Sequence, residues 1–182
     1  MIFANMHLPA GEGKIVERCK LLTKFLHTYL RNSVQDDYMF VFGDQNWRTI
    51  NTMSIDNILQ AIQTKNYQSI LNNDELTRMR QYNDTTQCLK TFYEAPITFP
   101  PTYKYFVNTD TYQTQRNYED RRPSYTDRIL LSNLSKDIRL IQYSAMNDIK
   151  ISDHRPVFAD FHLHRSTNKN KSVKKSNFVN HN

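Results

Sequence analysis

Glycine is scarce in this 182-residue chain: Gly11, Gly13 and Gly43 are the only three. Neither G-x-x-x-x-G-K-[ST] nor G-x-G-x-x-G can be written from them, which excludes nucleotide binding by those loops. G-x-S-x-G and H-E-x-x-H are also absent, which argues against the serine-hydrolase elbow and the helical zinc site. Two cysteines, Cys19 and Cys88, are too few for a disulfide scaffold or a four-cysteine zinc site, and a reducing compartment is the natural reading. No apolar run reaches the ~18 residues that a membrane-spanning helix needs, and mean hydropathy is −0.72. Residues 1–10 hold no basic stretch followed by a long apolar one, so no secretory leader is expected. The last four residues form no C-a-a-X box.

Positive charge is abundant but uneven. Lys plus Arg is 24 and Asp plus Glu is 18, giving +6. Residues 165–182 contribute Arg165, Lys169, Lys171, Lys174 and Lys175 and no acid, so the rest of the chain carries 6 − 5 = +1. The expected division is therefore a domain over residues 1–164 and a basic, disordered tail over 165–182. A solvated end is the plain reading of that tail. A tether to an anionic leaflet, at ~1 kcal/mol per basic residue, is the other.

Aromatic residues make up 12% of the chain, as expected of an ordered core. Ile2-Phe3-Ala4 reads as a buried strand. A helix is expected over residues 14–30, with Ile15, Cys19, Leu22, Leu26 and Tyr29 on one face. Tyr38 to Phe42 is a continuous apolar run, the mark of a strand covered on both faces. Ser54 is placed to cap a helix whose inner face is Ile55, Ile58, Leu59 and Ile62. A third helix is expected over residues 67–80, a polar loop over 81–90, an extended segment over 97–105 broken by Pro100-Pro101, and a long polar loop over 106–123. Strands follow at 129–131, 139–143 and 157–163. This order predicts an α+β domain with helices packed on sheet.

Four polar clusters flank the apolar strands: Asn5-Met6-His7, Gly43 through Arg48, Pro123 through Arg128, and Ser152 through Pro156. Taken singly, each has a plain structural reading, since Asp and Gly dominate turns. Together they offer several carboxylates, an Asn, imidazoles and arginines at rigid strand ends. A carboxylate with an Asn can position and deprotonate water. Arg clamps phosphate, and Mg²⁺ favours one or two carboxylates plus substrate phosphate. The set suits metal-assisted hydrolysis of a phosphate ester better than acyl transfer.

Five segments resemble the motifs of inositol polyphosphate 5-phosphatases. Phe42-Gly43-Asp44-Gln45-Asn46-Trp47-Arg48 is similar to W-F-G-D-L-N-[YF]-R, and Phe99-Pro100-Pro101-Thr102-Tyr103-Lys104-Tyr105 to F-x-P-T-Y-K-[YF]. Arg122 through Leu130 resembles P-[AS]-[WY]-[CT]-D-R-[IV]-L, Ser152 through Val157 resembles S-D-H-[KR]-P-V, and Asn5 through Leu8 resembles N-x-H-[LF]. The variant residues are most similar to the type IV branch, which carries a ciliary association. The resemblance implies an endonuclease/exonuclease/phosphatase fold, two face-to-face sheets with flanking helices. It implies that Asp44, Asn46, Asp127 and His154 are catalytic: Asp44 as base, Asn46 placing water and phosphate, and Asp127 holding His154 against the scissile phosphate. It assigns His7, Tyr103, Lys104, Arg121 and Arg128 to substrate and Asp153 to Mg²⁺. The expected reaction is Mg²⁺-dependent water attack on the 5-phosphate of a phosphoinositide or soluble inositol polyphosphate, at a cytoplasmic, membrane-peripheral location and without nucleic acid as partner. The family's first half carries an Asn strand and the Glu that binds Mg²⁺, and neither lies ahead of Asn5. The resemblance therefore covers the C-terminal half of the catalytic domain, half of the sandwich, and implies a chain inactive by itself. A remnant that only binds phosphoinositide or a protein, and a nuclease of the same fold, are the alternatives.

Overall fold

The computed structural model describes residues 1–30, 38–82, 92–116, 119–132 and 138–164. The basic tail, Cys88 and most of the 81–90 loop lie outside them.

The architecture is α+β. A four-stranded sheet runs in the order β1, β2, β6, β3, from β1 (Ile2–Asn5), β2 (Met39–Asp44), β6 (Asp127–Ser132) and β3 (Phe92–Tyr93). β1 lies parallel to β2, while β6 is antiparallel to both β2 and β3. The hairpin of β7 (Ile138–Ala145) and β8 (Val157–Leu163) forms a second sheet.

Strand periodicity separates two cores. Met39 and Val41 on β2, with Leu130 on β6, face α1 (Ile15–Leu30) and pack with Leu22, Leu26, Trp47 and Leu76. Phe40 and Leu131 point the other way, toward the hairpin, and the Phe40 and Phe161 rings meet edge-on at 5.3 Å. The β2 run is therefore apolar throughout because both of its faces are covered. A third cluster, around Ile58, Ile70, Phe99, Tyr125 and Tyr143, fills the space between α2 (Ile55–Gln63) and the hairpin. Leu22 and Leu26 are fully buried, so truncating either to Ala costs about 2–5 kcal/mol.

Some expectations change. β1 is the sheet's outer strand among those described, so only Ala4 is buried and Phe3 remains 65% exposed, stacked on Phe40. Tyr29 falls on the rim of the α1 face, against Phe25. The single helix over 67–80 is two, α3 (Tyr67–Leu71) and α4 (Glu75–Tyr82). The break occurs because buried Asp74 caps α4, with Oδ2 accepting from the Thr77 backbone N–H at 2.9 Å and its hydroxyl at 3.0 Å. Ser54 caps α2 as its sequence predicts. The 106–123 loop contains a small hairpin, β4 (Gln115–Arg116) and β5 (Glu119–Asp120). No helix among the described residues is long and apolar enough to cross a membrane.

Candidate active site

The site begins where β2 ends. Gly43 has φ +117°, and a Cβ there would lie 2.3 Å from the Met6 carbonyl oxygen and 2.5 Å from Asn5 Oδ1. Only glycine permits both the backbone conformation and the close approach. The segment after β1 therefore runs tight against β2, with Met6 N–H donating to Phe42 O and Leu8 N–H to Asp44 O. This sets His7 Nε2 3.4 Å from Asp44 Oδ2, with the imidazole otherwise well exposed.

The antiparallel register of β2 and β6 places Asp44 directly opposite Asp127. Asp127 Oδ2 accepts from the Thr102 hydroxyl at 2.7 Å and the Thr126 hydroxyl at 2.9 Å, and lies 3.0 Å from His154 Nδ1. That contact turns the other ring nitrogen, Nε2, toward Asp44 Oδ2 at 3.9 Å. Asp44, Asp127 and His154 each offer a ligand atom within 4.8 Å of the others. Burial and then the Asp127 charge raise the Asp44 carboxyl above its ordinary value, against the opposing pull of His154, the Asn46 N–H and His7. Burial opposes the charged imidazolium of His154, yet the hydrogen bond and charge of Asp127, aided by Asp44 and Asp153, raise it above the ordinary histidine value.

Asn46 is nearly buried, in a left-handed conformation at φ +56°. Its backbone N–H donates to Asp44 Oδ1 at 3.0 Å, its Nδ2 to Leu8 O at 3.0 Å, and its Oδ1 accepts from Arg48 at 2.5 Å. It thus locks the Asp44 carboxylate between β2 and the 5–8 segment.

Beside this cluster opens a pocket of about 980 Å³ whose wall includes Arg48, Tyr103, Lys104, Arg121 and Arg122. Tyr103 bridges Ser124 and His154, and its ring lies 4.4 Å from the His154 imidazole. Arg48 sits over that ring at 4.6 Å, and Arg121 donates to the Tyr103 hydroxyl at 3.3 Å.

Of the sequence-derived residues, Asp44, Asn46, Asp127, His154 and His7 converge, and Tyr103, Lys104 and Arg121 line the adjoining pocket. Two do not fit their expected roles. Arg128 is 1% exposed, and its guanidinium holds Glu94 through both carboxylate oxygens at 2.6 and 2.7 Å and Asp74 at 2.8 Å. Its charge is engaged inside the fold, which makes it a structural cation. Asp153 stands outside the Asp44–Asp127–His154 cluster. Its carboxylate binds Lys104 Nζ at 2.6 Å, and although burial alone would raise it, that hydrogen bond and charge keep it below the usual carboxylate range. Thr102, Thr126 and Arg48 join the site although the motif resemblance assigns them no role. All three sit inside the quoted motifs, but nothing local shows that two hydroxyls share one oxygen of Asp127.

Residues 1–160 match the family model described as endonuclease/exonuclease/phosphatase family 2. The chain belongs to that family. Among curated relatives it is similar to the phosphatidylinositol polyphosphate 5-phosphatase type IV of Rattus norvegicus, at 32% identity over 180 residues, 89% of this chain and 27% of the relative. Among solved structures it is similar to the inositol polyphosphate 5-phosphatase domain of a synaptojanin bound to inositol (1,4)-bisphosphate and calcium ion, with TM-score 0.65 and 28% identity over 88% of this chain and 47% of that one. A ferrous NO complex of a Cimex nitrophorin also matches, at TM-score 0.61 and 29% identity over 76% of this chain and 47% of that chain. The chain thus spans about a quarter of the type IV relative and about half of either solved structure. With a nitrophorin among its neighbours, the fold alone does not fix an activity, and the side chains of the site must.

Proposed function

We propose that this site hydrolyses a phosphate monoester on an inositol ring, the 5-phosphate of a phosphoinositide or soluble inositol polyphosphate, by direct attack of water. The observation that carries the reading is the meeting of Asp44, Asp127 and His154 beside Tyr103, whose ring lies 4.4 Å from His154 and lines a pocket with Arg48, Lys104 and Arg121. Asp44 takes a proton from water, and Asn46 holds that carboxylate in place. The water oxygen bonds to phosphorus as the bond to the inositol oxygen breaks, and the leaving oxygen takes a proton from solvent. His154, charged by its contact with Asp127, donates through Nε2 to the phosphoryl oxygens as charge builds on them. Lys104, Arg48 and Arg121 hold a neighbouring phosphate that does not react.

The donor set suits a hard cation. Two carboxylates face each other across β2 and β6, with Asp44, Asp127 and His154 each offering a ligand atom within 4.8 Å of the others. Asp127 would hold Mg²⁺ beside Asp44, with one Asp44 oxygen shared with the ion and the other left to the water, and the ion when bound would neutralise charge on the phosphoryl group. The same reading puts the chain at the cytoplasmic face of a membrane. Exposed Phe106 and Val107 lie on one loop and exposed Ile149 and Ile151 on another, joined by the Asn108 N–H donating to Lys150 O, next to Lys104 and Asp153. Such apolar tips suit a lipid interface.

The test is release of inorganic phosphate from short-chain phosphatidylinositol 4,5-bisphosphate, with and without Mg²⁺, by the full chain and its Asp44→Ala variant, alongside headgroup binding. Mg²⁺-dependent release lost in Asp44→Ala supports the reading, and shows that the chain's own acids suffice for the metal. Binding without release makes the chain a phosphoinositide-binding member of its family. Absence of both binding and release overturns the proposal. Mg²⁺ binding itself is read by thermal shift, which Asp127→Asn should abolish.

A further inference from the structure

Strand β8 carries two imidazoles that the catalytic cluster does not use. Its inward side chains are fixed by packing, Val157 and Ala159 against the cluster around Ile58 and Tyr143, and Phe161 against Phe40. Strand alternation then sends Asp160, His162 and His164 to the opposite face, where all three are exposed. The rings of His162 and His164 lie side by side, with centroids 4.6 Å apart and planes tilted by 44°. The register of the hairpin sets Arg139 opposite His162 and Gln142 opposite Asp160. One cation and one carboxylate thus flank the pair. His162 lies five positions beyond Val157, about 17 Å along an extended strand, so the pair stands well apart from His154.

We propose that His162 and His164 form a two-imidazole site for a borderline transition-metal ion, Zn²⁺ or more tightly Cu²⁺, separate from the Asp44–Asp127–His154 cluster. Zinc–imidazole bonds are about 2.0–2.1 Å long, so two rings on one tetrahedral ion have centroids about 5 Å apart. The observed separation is close to that already, and small rotations of two exposed side chains supply the rest. One ring nitrogen of each residue gives a lone pair to the ion, and water fills the remaining positions. Imidazole suits Zn²⁺ and Cu²⁺, whereas Mg²⁺ takes oxygen ligands, and Cu²⁺ stands above Zn²⁺ in affinity. Arg139 opposes a bound cation and Asp160 favours it, so the pair does not sit in a one-sided positive field. The inference uses no residue of the catalytic site and does not depend on the headgroup reading.

Paramagnetic broadening in the amide NMR spectrum of the full chain locates the ion. With Cu²⁺ below one equivalent and Mg²⁺ in excess, the amides of His162, His164 and, across the hairpin, Arg139 should broaden. Zn²⁺ titrations followed by the shifts of the same amides give the affinity of this site alone. His162→Asn and His164→Asn should each weaken it at least about tenfold, because the second imidazole of a chelate binds intramolecularly. Both positions are exposed, so the rest of each variant's spectrum should be unchanged. Broadening confined to the surroundings of Asp44 and His154 in the wild type overturns the inference. So does Zn²⁺ affinity at β8 that survives either substitution. In both cases the headgroup reading stands, since phosphate release is read at the other site.

Discussion

His154 Nδ1 lies 3.0 Å from Asp127 Oδ2, although 27 residues separate them in the chain. The same oxygen takes two threonine hydroxyls, so the carboxylate is held in one rotamer and the imidazole is aimed through it. In metal-free buffer this pair has a pH signature. The folded state raises the His154 pKa above 6.5, so its stabilisation is fully present below the unfolded histidine value and is lost as pH rises through the folded one. Urea titrations across that window should show stability falling with pH in the wild type. Asp127→Asn should flatten the slope. An unchanged slope would mean that His154 is not charged by Asp127.

With Asp44 as the proposed base, Asp44→Ala should lower turnover at least ~100-fold. His154→Ala should lower it ~10²–10³-fold by removing a donor to the developing charge. Lys104→Ala should act mainly on KM, because the phosphate that the proposal assigns to it does not react. Steady-state kinetics with the short-chain lipid separate the three. A Lys104 variant that loses kcat with KM intact would contradict the pocket assignment.

Arg128→Met removes the cation shared by Asp74 and Glu94, which are 0% and 7% exposed at the side chain. Leaving Asp74 with no cation and Glu94 with only Arg80 at 3.7 Å should destabilise the fold by about 3–5 kcal/mol, seen as a lower urea midpoint. A variant that melts like the wild type but shows a raised KM would restore Arg128 to the substrate.

Gly43→Ala places a methyl 2.3 Å from the Met6 carbonyl at a left-handed φ. It should cost at least about 2 kcal/mol and push the 5–8 segment away from Asp44. Thermal melts read the first effect. The second appears as lost headgroup binding under conditions where the variant remains folded.

The sequence by itself determined the local features. The apolar run of β2, the Ser54 cap, the α1 face and the motif clusters at strand ends follow from periodicity and side-chain chemistry within a few residues. Asp44, Asn46 and His154 are legible as polar residues that end or flank apolar elements, while their roles come from the motif resemblance. What only the tertiary structure decided was pairing. Asp127 and Arg128 are neighbours, and nothing local says which faces the site. The register of β6 against β2 sets Asp127 opposite Asp44, and strand alternation then sends Arg128 to the other side, where the Asp74 that breaks α3 from α4 and the Glu94 beyond β3 neutralise it. Asp153 met Lys104 instead of the cluster for a like reason, since the two lie 49 residues apart and meet only when their loops close. A buried charge takes the partner that the fold delivers, and the sequence does not record the distance between them.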